Sequence, residues 1–281
     1  MASITINNNN IIPSLDAERA ALDSVAADLG VNDRSAAAAK VINEGHGLTT
    51  TPSGNNSVRV LTLSEYKQAG STLAEAFRKD HTSLYFTHTP DRSDWSEQQK
   101  WELHVKMMEY ITYAHLLKGL VVCAGPNYDS VALWMPPGQN MDDFLTILRS
   151  GMWRLSYQLS REGKKRFFDE FLPLLNDTKA HVLGPRDTTS WYLVYIGTKP
   201  SSQGQGHAKA AIEYVTKMAD DNGQACYLES SHASNRAMYE RRGFELRKEV
   251  FLQRELKENV QLDIMVREPV RRDGDSGVEV L

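Results

Sequence analysis

Residues 201–215 read SSQGQGHAKAAIEYV. Two glycines one residue apart run straight into a helical apolar pattern, in which Ala208, Ala211, Ile212, Val215 and Ala219 follow the i, i+3, i+4, i+7 rule. Glycine lacks a Cβ and is used where backbone approaches another group closely or takes unusual dihedrals. A helix start presents unpaired N–H groups and partial positive charge, which suits an anion. The stretch therefore predicts a strand, a phosphate-cradling turn at Gly204–Gly206 and a helix closed by Asn222-Gly223. A dinucleotide fingerprint fits less well, because G-x-G-x-x-G would need glycine where Lys209 stands.

Outward from this turn the order is mixed α/β. "SWYLVYIGTKP" (190–200) precedes the turn as a strand; "QACYLESS" (224–231) follows its helix as another. "SNRAMYERRG" then reads as a short helix stopped by Gly243, and "FELRKEVFLQ" with "QLDIMVRE" as a final strand pair. Upstream, "VRVLTL" (58–63) alternates like a strand, and "SEYKQAGSTLAEAFRKD" reads as one helix capped by Ser64. A long helix carries Trp101, Val105, Met108 and Thr112 at helical spacing and ends at Gly119; "LVVCAG" (120–125) and "SVALWMPPG" (130–138) form a hairpin across "PNYD". Residues 140–183 read as helical. An N-terminal extension, 1–56, contains a helix from Ser14 to Gly30, a second short one in "DRSAAAAKVIN" and polar loops; residues 271–281 read as a tail.

Composition narrows the function. The 281 residues are 41% hydrophobic and 24% charged, with net charge −4 and no basic run of the kind that tracks nucleic acid. No apolar run reaches the ~18 residues of a membrane span, and "MASITINNNN" lacks a secretory pattern. The reading is cytoplasmic. Cys123 and Cys226 sit in apolar strand-like runs, as buried reduced thiols. No G-x-S-x-G, H-E-x-x-H, C-x-x-C or Walker loop occurs, which argues against a serine hydrolase and a metal site. Ser231 and His232 are neighbours, and adjacency alone makes no catalytic pair.

Gln203-x-x-Gly206-x-Ala208 after a strand resembles the Q/R-x-x-G-x-G/A signature of the GNAT superfamily of acyl-CoA N-acyltransferases. "YLESSHASNRAMYERRGFE" (227–245) resembles that superfamily's next block, so the likeness covers residues 190–245. "TLAEAFRKD", "ALWMPPG" and the helical segment 140–183 resemble the puromycin N-acetyltransferase-like branch. The resemblance implies an α/β GNAT fold at 57–270: a central mixed, mostly antiparallel sheet flanked by helices, with the N-terminal helical extension outside it.

It further implies acetyl-CoA as co-substrate. The pyrophosphate would lie over Gln203, Gly204, Gln205, Gly206, His207 and Ala208, the pantetheine arm along Ile196 and Thr198, and Asn235 would belong to the same site. Tyr239, four residues after Asn235 and so on one helix face, would be the general acid, since a phenol can protonate a departing thiolate. Glu229, closing the "CYLE" run, would be the base, directly or through water; Glu109, Tyr85 and His115 are alternatives. A backbone N–H near Ile196 would hold the oxyanion, and transfer would be direct, with no acyl-enzyme. The acceptor implied is a primary amine of a small molecule, including detoxification of an aminonucleoside or similar compound, with aromatic residues of 84–115 and 134–172 as pocket wall or core. A peptide or protein N-acetyltransferase and a non-catalytic acyl-CoA-binding regulator remain as alternatives, and the sequence leaves monomer and homodimer open.

Overall fold

The computed structural model describes residues 57–252 and 260–270; the expected helices between Ser14 and residue 43 and the tail lie outside them. Seven strands form one sheet: β1 (Val58–Val60), β2 (Leu120–Ala124), β3 (Ser130–Met135), β4 (Trp191–Thr198), β5 (Cys226–Ser230), β6 (Phe244–Leu252) and β7 (Val260–Arg267). Their spatial order is β1-β2-β3-β4-β5-β7-β6. Every neighbouring pair is antiparallel except β4 and β5. That parallel pair needs a crossover, which the helix after the glycine turn supplies.

The helices are α1 (Tyr66–Ala76), α2 (His81–Thr87), α3 (Glu97–Lys118), α4 (Phe144–Ser150), α5 (Leu155–Gln158), α6 (Arg161–Lys164), α7 (Leu172–Leu183), α8 (His207–Asp221) and α9 (Ala233–Glu240). Alternation along the strands gives each sheet face its own cover. Val121, Cys123, Val131 and Leu133 pack under Leu73 and Ala74 of α1 and Met108 and Ile111 of α3. On the C-terminal half, Tyr227, Ile264 and Val266 pack under Leu175 and Leu183 of α7. Helix α8 lies against β2, β3 and β4 and buries Ala211, Ile212, Val215, Met218 and Ala219. Its remaining sides stay polar, as the sequence spacing requires.

Two expectations are corrected. The helix expected over 64–80 is shorter, Tyr66–Ala76, and an unexpected second helix follows it at His81–Thr87. Glu65 accepts the Thr62 N–H at 2.9 Å, closing a 3-10 turn, so α1 starts at Tyr66 and Ser64 is not its cap. Asp80 then takes the Ser83 N–H at 3.0 Å and starts α2. Helical segment 140–183 is broken into α4–α7, with a π-helical stretch at Lys165–Phe171. There Phe167 and Phe171 pack on Phe86 at ring distances of 5.2 and 5.0 Å. Of the aromatic residues of 84–115 and 134–172, Tyr85, Phe86, Trp134 and Phe167 are core, whereas Phe144, Tyr157 and Phe168 are exposed.

Candidate active site

The site begins where the sheet opens. β4 and β5 pair only at Trp191–Cys226, Tyr192–Tyr227 and Leu193–Leu228, and then part. The parting coincides with a bulge in β4: Leu133 pairs with Tyr195 but Trp134 with Leu193, leaving Val194 as the extra residue. Beyond it Ile196 and Thr198 pair with Ala132 and Ser130 on one side only. Their other backbone edge faces the gap, as an unpaired strand does towards an extended amide chain. Helix α1 comes close at this point because residue 197 is glycine. A Cβ there would stand 2.7 Å from the Ala76 Cβ.

The glycine turn closes one end of the gap. Gly204 and Gly206 take φ of +77° and +87°, the left-handed region that costs L side chains roughly 1–2 kcal/mol. A Cβ on Gly204 would meet nothing within 4 Å, so backbone conformation, not protein crowding, calls for glycine there. The N–H groups of residues 203–209 make no hydrogen bond among the described residues; the first α8 bond is Ala210 N–H to Gly206 O, 3.0 Å. No side chain caps this 15-residue helix. A run of free donors at a helix start is an anion cradle, and Lys209, Arg241 and Arg242 rim it. The oxygens of a pyrophosphate fit this donor set.

The gap and the cradle share one cleft of about 540 Å³. Ile196, Thr198, Gln203, Gly204, Gly206, His207, Ala208, Asn235 and Tyr239 all line it, so residues 43 positions apart in sequence converge. Gln205 does not line it; its amide reaches back to Ser201 O at 3.5 Å. Tyr239 is 5% exposed, with its ring edge-on to Phe244 at 5.9 Å. Burial pushes its phenol well above the usual range, so the hydroxyl keeps its proton at neutral pH.

Glu229 does not line the cleft. It projects from β5 on the Tyr227 face, and its Oε2 accepts the Tyr192 hydroxyl at 2.6 Å while Oε1 is buried without a partner. Burial raises its carboxyl to about 7, the Tyr192 hydrogen bond pulling the other way. Of the alternatives, Glu109 pairs with Lys106 at 2.9 Å and Tyr85 donates to Glu170 at 2.7 Å. His115 is fully buried on Ile111 O at 2.8 Å, and burial depresses it to about 4. None of the three reaches the cleft. The thiols of Cys123 and Cys226 are buried and free; burial pushes them up to about 11 and about 12, the opposite of a nucleophile's tuning.

Two cleft residues escape sequence reasoning. Asp80, 4% exposed, and His232 both line the cleft and meet at 3.7 Å although 152 positions apart. Asp80 looked like the acidic end of a helix, and only its N-cap pattern before Ser83 could have marked it as fixed.

A phosphate cradle continuous with a parted strand pair, with a buried phenol at the junction, defines an acyl-CoA-dependent transferase. The acetyltransferase (GNAT) family profile matches residues 174–244. The chain is 49% identical over 205 residues to an uncharacterised N-acetyltransferase of Schizosaccharomyces pombe, covering 73% of this chain and 80% of that one. It belongs to the GNAT acetyltransferase family and is an N-acetyltransferase. Its fold is similar to arylalkylamine N-acetyltransferase 2 of Aedes aegypti (TM-score 0.53, 18% identity, 76% of this chain and 99% of that one). It is also similar to a histone acetyltransferase HPA2-related protein of Corynebacterium glutamicum (TM-score 0.50, 20% identity, 78% and 99%).

Proposed function

We propose that this enzyme moves an acetyl group from acetyl-CoA to the primary amine of a small molecule, by direct transfer within a ternary complex. The observation that carries this is the mixed polarity of this cleft: its lining combines the free N–H donors and basic residues around the start of α8 with the buried carboxylate of Asp80. The former suit phosphates and the latter a cationic amine. The fold neighbours include proteins described as acting on arylalkylamines and as histone acetyltransferases, so the fold leaves the acceptor open and the site has to choose it. The likeness of "ALWMPPG" and segment 140–183 to the puromycin-type branch supports a small amine. Acetylation would cancel the amine's charge, the chemistry of detoxification.

In this reading the Ile196 N–H holds the developing oxyanion, as a preorganised donor does. The amine lone pair forms the C–N bond, the C–S bond breaks, and Tyr239 protonates the departing sulfur. Glu229, raised to about 7, collects the released proton through water. Calorimetric titration with acetyl-CoA, followed by thiol release with a panel of alkyl amines, aryl amines and amine-bearing peptides, tests the proposal. Saturable binding and turnover of small amines alone supports it; turnover of peptides alone sinks it.

A further inference from the structure

Asp80, Ser231 and His232 form a cluster at the mouth of the cleft that the acid and base named above leave unused. Asp80 is held on both oxygens: Oδ1 takes the Ser83 N–H at 3.0 Å, and Oδ2 takes the Ser231 hydroxyl at 2.5 Å. The same Oδ2 lies 3.7 Å from His232 Nε2. His232 is 45% exposed at its side chain, lines the cleft beside Asn235 and Tyr239, and meets the His81 ring edge-on at 5.6 Å. His232 is thus an accessible imidazole in the cleft whose Nε2 is turned towards a buried carboxylate fixed by two other donors, the arrangement of a positioned base.

We infer that His232, seated against Asp80, takes the proton from the acceptor's ammonium before attack. This rests on the acetyltransferase reading and deepens it, because Glu229 is off the cleft wall and the ammonium meets His232 first. Proton balance holds. R–NH3+ gives one proton to the His232 ring, which passes it to bulk water or on to Glu229. The neutral nitrogen forms the C–N bond, the sulfur leaves with the C–S pair and takes the Tyr239 proton, and the second nitrogen-bound proton restores the phenol. The charged and titratable groups that face His232 are Asp80 ahead of α2, His81 on α2, and Tyr239, Arg241 and Arg242 around α9. The inference also predicts selectivity, since only acceptors protonated at working pH need such a group.

The test is His232→Gln assayed on an alkyl amine and on an aryl amine already unprotonated at neutral pH, with Glu229→Gln in parallel. His232 holds no cap by its side chain, so the substitution leaves α9 its ends, and unchanged acetyl-CoA affinity checks the fold. Expected is a loss of about 100-fold in kcat/KM for the alkyl amine at neutral pH. That loss should shrink as pH approaches the amine's own pKa, be partly restored by added imidazole, and leave the aryl amine nearly unaffected. Equal losses on both amines, or no loss on either, overturn the inference, as does alkyl-selective loss in Glu229→Gln but not in His232→Gln. If the wild-type enzyme acetylates neither amine, the proposed function fails and takes this inference with it.

Discussion

At the scale of single residues, burial sets the chemistry. Tyr239 keeps its proton because its own hydroxyl is buried, beside Phe244, where a phenolate would be poorly solvated. Tyr239→Phe should lower kcat by about 100-fold and leave the acetyl-CoA dissociation constant unchanged by calorimetry; an unchanged kcat would remove its acid role. Glu229 predicts a pH effect whose sign is fixed. Its folded carboxyl sits near 7 against an ordinary 4.5, so the folded state binds the extra proton. The stabilisation this gives is complete below about pH 4.5 and lost by about pH 7, at most about 3 kcal/mol. Glu229→Gln should therefore raise Tm relative to wild type at pH 8 and make little difference at pH 5, measured by thermal melts across that range.

At the scale of elements, the strand–turn–helix unit works because its glycines hold left-handed backbone that leaves the N–H groups of residues 203–209 free. Gly206→Ala strains the turn at φ +87° and should weaken acetyl-CoA binding by about 5- to 30-fold, the equivalent of the roughly 1–2 kcal/mol cost of that backbone region. Titration of the variant checks it, with circular dichroism to show that α8 is retained. This unit was legible in the sequence, since spacing of glycines and apolar residues over 15 positions is local information. The helix that starts at His81 was not, because "HTSLYFT" suits helix or strand alike and the Asp80 N-cap hydrogen bond to the Ser83 N–H decides it. The π-helical stretch at 165–171 was equally hidden: it arises from packing Phe167 and Phe171 on Phe86, 81 or more positions away.

At the scale of the molecule, the function depends on a sheet that is closed everywhere but at one seam. Strand β7 fixes both sides of it. Arg267 binds Asp220 at the end of α8 at 2.7 and 2.8 Å, and Asp263 binds Arg236 of α9 at 2.8 and 2.9 Å. These pairs hold the helix with the phosphate cradle and the helix with Tyr239 to one strand. Hydrogen exchange should show it: acetyl-CoA should slow exchange at residues 203–209 and in 194–198, and leave the β2–β3 hairpin unaltered. Protection elsewhere, with none at the turn, would place the cofactor outside the seam.

The sequence by itself determined the order of the strands from Val58 to Arg267, the glycine turn between β4 and α8, the burial of both cysteines and the family. Each of these rests on patterns within about 20 residues, where period and spacing stand in for geometry. Tertiary structure decided which candidates meet. It brought Asn235 and Tyr239 to Gly204 and Gly206, left Glu229 beside Tyr192 and off the cleft, took Glu109, Tyr85 and His115 out of reach, and put Asp80 beside His232 across 152 positions. The physical reason is that a helix or strand fixes its own residues' directions, whereas the parting of β4 from β5 is set by the packing of the whole sheet between α1, α7 and α8.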